Sequence, residues 1–388
     1  MAADRPHDVA LFGATGFTGA LTAEYLVRNA PAETRLALAG RNRAKLEELR
    51  ERLGGERELE LLQADVEDRK SIRELAEAAR VVITTVGPYI EYGEPLVAAC
   101  AEAGTDYVDL TGEPAFADRM YVRHHTRASE TGARIVHACG FESIPYDLGA
   151  YFTVKQLPEG VPIRVEGFVR AGGRLSSGTF QSAIANFSRL REHGALSRER
   201  RKLEPSLEGR RVHGIKARPR REPAVNAWVL PFPSIDLQIV LRSARALERY
   251  GPDFSYGHYF TVRRLPVAAG IVGGVAGVMA LSQLPPTRNW LLRRAGSGEG
   301  PSAEEREKGW FKVRFVGEGG GSRVVCEVAG GDPGYGETSK MLAESALCLA
   351  HDELPTSAGQ VTTAVAMGDA LTERLRRAAI DFSVLEPG

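Results

Sequence analysis

The chain has no surplus of charge: 50 Lys and Arg stand against 50 Asp and Glu in 388 residues. Without a global field of either sign, a nucleic acid or a charged membrane surface finds no general attraction, and any charge argument must be local. Cysteine is scarce. Cys100, Cys139, Cys326 and Cys348 are scattered, with no C-x-x-C and no Cys/His cluster at metal spacing, so neither a disulfide framework nor a metal site is expected. Buried free thiols in a reducing, cytoplasmic setting fit instead. The opening "MAADRPHD" lacks the basic-then-apolar pattern of a secretory leader. No G-x-S-x-G supports a serine hydrolase, no internal repeat is visible, and the adjacent His124 and His125 would point apart on a helix. Long apolar runs are also missing. The fifteen uncharged residues Val267–Leu281 would rise roughly 22 Å as a helix, short of a ~30 Å hydrocarbon core. A buried, glycine-packed helix is the plain expectation; an interfacial segment touching lipid and a wall of an apolar substrate channel are the alternatives.

What is present is alternation. "DVALF", "RLALA", "LELLQAD", "RVVITTV", "DYVDL" and "ARIVHAC" are apolar runs of strand length. Between them lie five stretches with apolar residues at helical spacing, from "FTGALTAEYLVRNA" to "PAFADRMYVRHHTRASE". That order predicts right-handed βαβ units, hence a Rossmann-type, doubly wound parallel sheet in an α/β protein. After about residue 150 the texture changes: "IRVEGFVRAGG", "DFSYGHYFTVRRLP" and "WFKVRFVGEGGGSRVVCEVAGG" suggest antiparallel strands, with Gly319–Gly321 turning a hairpin. Helices around Glu337–His351 and Val361–Arg377 close the chain. The length fits more than one core, and the expected division is 1–150 for a nucleotide domain, 151–335 for an inserted α+β substrate or dimerisation domain, and 336–388 for helices packing back on the first. Ser188–Glu222 carries twelve Lys/Arg against five Glu. Such a run is usually a solvated loop; its functional alternative is a landing surface for an acidic partner.

In "ALFGATGFTGALTAEYL" an apolar strand runs into glycines at 13, 16 and 19, and a helix begins near Phe17. Gly13 permits the tight turn, Gly16 lets the backbone approach a pyrophosphate, and Gly19 lets the helix pack on the strand. The helix N-terminus then offers N–H groups to phosphates. At the end of the second strand, where an NAD site presents an acid to the ribose, the chain reads "AGRNRAKL", with Arg41 and Arg43. A guanidinium binds a 2′-phosphate that a carboxylate would repel, so NADP(H) is favoured over NAD. Asp65, after the third strand, is placed to meet the adenine. The loops "TTVGPYIEYGEP", "VDLTGEPAF" and "HACGFESIPYDLG" end the later strands, the edge at which open α/β sheets bind ligands. "YFTVK", Tyr151 to Lys155, matches the Tyr-x-x-x-Lys of short-chain dehydrogenases, but Ala138 and Cys139 stand where those enzymes place a serine.

"GATGFTG", "AGRNRAKL", "VGPYIEYGEPLVAACAEAGTDYVDLTGEP" and "CGFESIPYDLG" resemble the saccharopine dehydrogenase-like oxidoreductases over the first 150 residues. "GEGPSAEEREKGWFKV" and the block from "FKVRFVGEGGG" to "SALCLA" are more similar to the trans-acting enoyl reductases of complex-lipid, polyketide and glycolipid assembly. The resemblance implies an NADPH-dependent reductase acting on the α,β-unsaturated thioester of an acyl chain, held by a synthase without its own reductase. By position it assigns Gly13, Ala14, Thr15, Gly16, Phe17, Thr18 and Gly19 to the phosphate loop, Arg41 to the 2′-phosphate, and Gly87 and Pro88 to the nicotinamide ribose. Enoyl reduction also needs a donor for the enolate oxygen and a proton for the α-carbon. Tyr89 and Tyr92 are the candidate donors, and Glu113 and Glu142 are candidates to orient a ring or a water. Partners implied are an acyl carrier protein or polyketide synthase, steered by Arg200, Arg201, Lys202, Arg210 and Arg211; a second copy of the chain; and, through Val267–Leu281, the plasma membrane. Two other functions stay open: an NADP-binding scaffold at lipid surfaces without turnover, and saccharopine-type amine oxidoreduction, for which no cations suited to an amino-diacid are assignable.

Overall fold

In a computed structural model the described residues are 5–55, 57–172, 190–232, 234–282, 287, 290 and 300–387, with only the backbone course given at 190, 191, 276 and 279. The first third alternates as its apolar runs require: β1 His7–Phe12, α1 Phe17–Asn29, β2 Leu36–Gly40, α2 Arg43–Leu53, β3 Leu59–Gln63, α3 Arg69–Ala78, β4 Ala79–Thr84, α4 Tyr89–Tyr92, α5 Glu94–Ala103, β5 Asp106–Asp109, α6 Pro114–Thr131 and β6 Arg134–Val136. Local chemistry sets several ends. Asn42 and Asp68 accept hydrogen bonds from Lys45 N and Lys70 N as helix N-caps, and Gly104 and Gly132 close α5 and α6 in the left-handed region. The strands run parallel in the order β6-β5-β4-β1-β2-β3. Every residue of β1 and β2 is buried, as a sheet covered by helices on both faces demands.

The rest of the chain comprises α7 Ile144–Val154, β7 Ile163–Gly172, α8 Leu190–Leu203, β8 Arg211–Gly214, β9 Arg220–Glu222, β10 Ala227–Pro231, α9 Ile235–Ala246, β11 Asp253–Val262, α10 Leu265–Ser282, α11 Ala303–Glu307, β12 Trp310–Gly319, β13 Ser322–Gly330, α12 Gly336–His351, β14 Gly359–Val361, α13 Thr363–Ala366, α14 Gly368–Arg377 and β15 Asp381–Glu386. A second sheet follows the order β15-β13-β12-β7-β11-β10-β9, with β8 also beside β11. The β12–β13 hairpin turns at Gly320 and Gly321, both at positive φ. The strands are not all antiparallel as expected: β11 runs parallel to β7 and β8. The closing segment also differs. The α12 helix packs on α1, β4 and β5, but β14 joins the first sheet beside β6 and β15 crosses to the second beside β13. Buried α7 lies against the second sheet, where Gly149 leaves room for the Phe315 ring. Asp147 ties it to α9 and α13 by accepting from Ser243 Oγ (2.5 Å), Thr363 Oγ1 (2.7 Å) and Ala364 N (2.9 Å). All four cysteines are free and buried.

The basic stretch is more ordered than a solvated loop; Ser188 and Arg189 lie outside the described residues, and the remainder forms α8, β8 and β9. Arg200 is 5% exposed, its Nε 2.5 Å from Asp118 Oδ1. Arg210 donates to the carbonyls of Ala244 and Leu247 at the end of α9 and of Gly251 in the turn beyond it. Arg201, Lys202 and Arg211 are exposed. The α10 helix is not the buried helix expected: Leu265, Val267, Val272, Val275 and Leu281 are each at least 40% exposed, and its first turns meet Leu230 and Val262 through Ala268 and Ile271.

Candidate active site

The glycine loop is built around Gly13, at φ +84°, where a side chain would be strained. Its N–H donates to Ala39 O (3.0 Å), tying the loop to β2, and its carbonyl accepts from Gly16 N (3.0 Å) and Thr85 Oγ1 (3.1 Å). A Cβ on Gly19 would overlap that same carbonyl, so α1 packs this close only because residue 19 has no side chain. Gly16 precedes α1 with no side-chain cap, and the first turn holds no acid, leaving the helix N-terminus open to an anion. Thr15 and Gly16 are exposed while Ala14 is buried. Phe17 is fixed from the far end of the chain: its ring meets Tyr335 edge-on at 4.9 Å and lies 5.8 Å beneath the Arg306 guanidinium. Ser339 Oγ on α12 donates to Thr18 O at 3.5 Å. Nothing local in the sequence announces these supports.

Arg41 follows the last residue of β2, exposed, its guanidinium without a hydrogen bond or ion pair to any described residue. Arg43 is engaged within the fold, donating to Leu61 O (2.8 Å) and Glu47 Oε1 (3.0 Å). Asp65 is half-buried and accepts from Glu67 N through Oδ1 (3.1 Å). The residues present suit a phosphorylated dinucleotide: an uncapped helix N-terminus, a cradle that a Cβ would fill, and a guanidinium beyond the second strand that no described residue engages.

Past β4 the loop continues through Val86 to a cis Gly87–Pro88 bond and the short α4. Here two expected donors separate. Tyr89 is buried; its hydroxyl donates to Thr84 O (3.1 Å) and accepts from Leu110 N (3.2 Å), and burial pushes its pKa up. That arrangement closes the space between β4 and β5 and leaves the hydroxyl no reach for a ligand. Glu113 is buried too, its two oxygens accepting from Tyr89 N and Ile90 N at 3.0 Å, so it anchors the turn that starts α4. Tyr92 is 41% exposed at the rim.

At the ends of β5 and β6, the register Val108↔Val136 sets Asp109 beside His137. Asp109 Oδ2 lies 2.7 Å from His137 Nδ1 and accepts from Tyr107 OH (2.9 Å), while Oδ1 accepts from Thr111 N and Ala138 N. The sequence reading missed this pair. Its only signal was a polar residue ending each of two apolar runs. The next loop carries Glu142, whose stem is partly exposed but whose Oε2 is shut off from solvent with no hydrogen-bond partner among the described residues. A methyl on Gly140 would fall 2.6 Å from that oxygen, 2.6 Å from Leu110 Cδ2 and 3.0 Å from Thr338 Cγ2, which locates the carboxyl among those groups. Burial, with the nearby Asp109 charge, pushes Glu142 from an ordinary 4.5 up to about 7. One turn on, Tyr146 meets Phe141 and His258 edge-on at 5.5 and 4.6 Å. His258 Nε2 is 3.0 Å from Asp236 Oδ2, and its Nδ1 3.2 Å from Tyr256 OH. The other flagged residues lie in structural contacts. Lys155 pairs with Asp369 at 2.6 Å beside Tyr151; His124 lies 3.3 Å from Glu94, and His125 accepts from Gln360 N.

The family model described as the saccharopine dehydrogenase NADP binding domain matches residues 9–136. A Mycobacterium tuberculosis protein provisionally named a trans-acting enoyl reductase is 39% identical over 98% of each chain. The trans-acting enoyl reductase of Mycobacterium ulcerans is 35% identical, again over 98% of each chain. Among solved structures, apo saccharopine dehydrogenase (L-Glu forming) from Saccharomyces cerevisiae superposes with a TM-score of 0.54 at 12% identity, covering 98% of this chain and all of that one, a likeness of fold alone. Cradle, guanidinium and full-length relatives agree: the chain is an NADP-dependent oxidoreductase and belongs to the saccharopine dehydrogenase-like family, together with the mycobacterial trans-acting enoyl reductases.

Proposed function

We propose that the protein reduces the α,β-unsaturated thioester of an acyl chain carried by a separate synthase, in the assembly of a lipid, polyketide or glycolipid. NADPH, when bound, supplies hydride to the β-carbon. Gly13–Gly19 and Arg41 hold the dinucleotide, with Gly87 and Pro88 beside its nicotinamide end. The observation that carries the reading is Glu142 in the loop after β6: its Oε2 is shut off from solvent with no partner among the described residues, its stem is partly exposed, and burial pushes it up to about 7, so it is half-protonated near neutrality. Such a group delivers the α-carbon proton as the enolate collapses, then recovers a proton from solvent. Acidic Asp109 and phenolic Tyr146 flank it, a poor seat for the carboxylates of an amino-diacid, which disfavours saccharopine-type chemistry.

The test is turnover by the purified protein with NADPH and crotonyl-pantetheine in D2O. The reading expects NADPH oxidation and a saturated product bearing one deuterium on the α-carbon. Saturable NADPH binding without oxidation would support the scaffold alternative, and turnover only of an amino-diacid the saccharopine one.

Two docking features belong to the same proposal. Of the five basic residues expected to steer a carrier, Arg201, Lys202 and Arg211 are exposed, suited to meeting an acidic acyl carrier protein. The eighteen residues of α10 rise about 27 Å, carry no charged side chain and follow exposed Arg263 and Arg264. A helix apolar on every face and largely uncovered suits a peripheral seat in lipid near a lipidic substrate. Flotation with anionic liposomes, lost in Val272→Glu/Val275→Glu, checks that contact; undiminished flotation of the variant removes it.

A further inference from the structure

Enoyl reduction places negative charge on the thioester oxygen before the α-carbon is protonated, so a site that performs it needs a hydrogen-bond donor at that oxygen as well as an acid. Tyr89 is engaged between two strands. Tyr92 is exposed, and the buried phenol at the start of α7, the helix that follows β6, is Tyr146. Glu142 and Tyr146 lie one turn apart around the start of α7, whose entry is fixed by Ser143 N and Ile144 N donating to Gly140 O (3.2 and 2.9 Å) and by Ser143 Oγ donating to Ala138 O (2.9 Å). The Tyr146 ring is 2% exposed, held edge-on by Phe141 on one side and His258 on the other. Its hydroxyl makes no hydrogen bond to any described residue, a state it shares with the buried Tyr250 hydroxyl; what sets Tyr146 apart is its place one turn from Glu142. Two other buried tyrosines are engaged: the Tyr107 hydroxyl donates to Asp109, and the Tyr256 hydroxyl meets His258 Nδ1.

We infer that Tyr146 is the oxyanion donor of this enzyme: its O–H hydrogen-bonds the thioester oxygen while Glu142, on the adjacent turn, protonates the α-carbon. This rests on the enoyl-thioester reading above. The hydride's electron pair enters the C=C, the enolate forms with its charge on the oxygen held by Tyr146, and the Glu142 proton completes the saturated thioester. The phenol keeps its own proton throughout. Burial and the charges of Asp236 and Glu142 hold its pKa well up, so it donates a hydrogen bond and does not ionise. The His258–Asp236 pair, contributed by β11 and α9, acts as a positioning element. Asp236 Oδ1 accepts from Leu237 N (2.8 Å) and Ser234 Oγ, while Tyr256 OH meets His258 Nδ1 at 3.2 Å, and these contacts bound the imidazole that abuts the Tyr146 ring. The second sheet thus supplies the backing for a donor that the first sheet's edge presents.

The experiment uses the full chain, wild type and Tyr146→Phe, with NADPH and crotonyl-pantetheine. Because the deleted hydroxyl has no described protein partner, its loss leaves the fold nearly untouched. The expected result is kcat down roughly 100- to 1,000-fold, with NADPH affinity within twofold and the thermal midpoint unmoved. The slow residual product still carries α-deuterium in D2O, since Glu142 remains. A variant kcat within threefold of wild type overturns the assignment. So does a fall in NADPH affinity or thermal midpoint matching the fall in kcat, because that result gives the hydroxyl a structural post. An inactive wild type refutes the enoyl-thioester reading itself, and is thereby distinguished from failure of Tyr146 alone.

Discussion

Replacing Glu142 with Gln keeps the size and most of the shape of the side chain while removing its proton exchange. The folded carboxyl titrates near 7 against an ordinary 4.5. A shift of that size corresponds to about 3 kcal/mol at ~1.4 kcal/mol for each pH unit. The sign follows from proton counting: between 4.5 and 7 the folded state holds a proton that the unfolded chain has released. Stability from this group is therefore full at the acid end, falls as pH rises through the window, and is flat above it. An amide at this position has no such loss. The Glu142→Gln variant should gain on wild type from pH 5 to about pH 7 and level off by pH 8, reaching an advantage of about 3 kcal/mol, read as a rightward move of the urea midpoint at unchanged slope. Activity moves the opposite way. Wild-type kcat should decline above neutrality as the acid deprotonates, while Glu142→Gln should lose roughly 100- to 10,000-fold and show no inflection there. Two parallel urea series across this range, with a gap independent of pH, would falsify the assignment of a sealed, titrating carboxyl at position 142.

Three further outcomes test the rest of the structure. Gly19→Ala places a methyl against Gly13 O, so the loop must open; NADPH fluorescence titration should show binding at least ~10-fold weaker with the far-UV spectrum retained, and unaltered binding would contradict the cradle. Arg41→Ala should weaken NADPH by roughly 10- to 100-fold, the worth of hydrogen bonds to a charged group, with NADH affinity unchanged; equal losses for both coenzymes would detach Arg41 from the 2′-phosphate. Arg200→Ala leaves Asp118 buried without its closest ionic partner and should cost about 3–5 kcal/mol of stability. Arg201→Ala, on the same helix but exposed, should shift the urea midpoint little.

Some of this molecule is legible residue by residue. The runs at Val9–Phe12 and Leu36–Gly40 are apolar or small throughout because both faces of their strands are covered, and that pattern survives without any knowledge of neighbours. The glycine spacing is equally local, since positive φ at Gly13 and the missing Cβ at Gly19 are demands of backbone on backbone a few residues apart. Other elements carry no such mark. The three-residue β14 and the largely exposed β15 are strands only because β6 and β13 offer them an edge, and a window on the sequence cannot see a partner more than fifty residues away. Arg200 and Arg201 are indistinguishable as letters, yet a helix turns one toward Asp118 and the other to solvent. Tyr89 and Tyr146 likewise each follow a Gly/Pro-rich turn. Their difference lies in whether Thr84 O and Leu110 N are within reach.

By itself, then, the order of residues determined the parallel nucleotide-binding sheet, the turn that opens its first helix and the preference for a phosphorylated coenzyme, because each depends on contacts within one βαβ unit. Tertiary structure decided which acids and phenols are buried, and with what neighbours, at the ends of the later strands. Asp109 meets His137 through strand register, Glu142 is sealed among Leu110 and Thr338, and Tyr146 is backed by a histidine from the second sheet. Burial and partnership at those positions are set by chain segments distant in sequence, and they decide what a carboxyl or a hydroxyl can do.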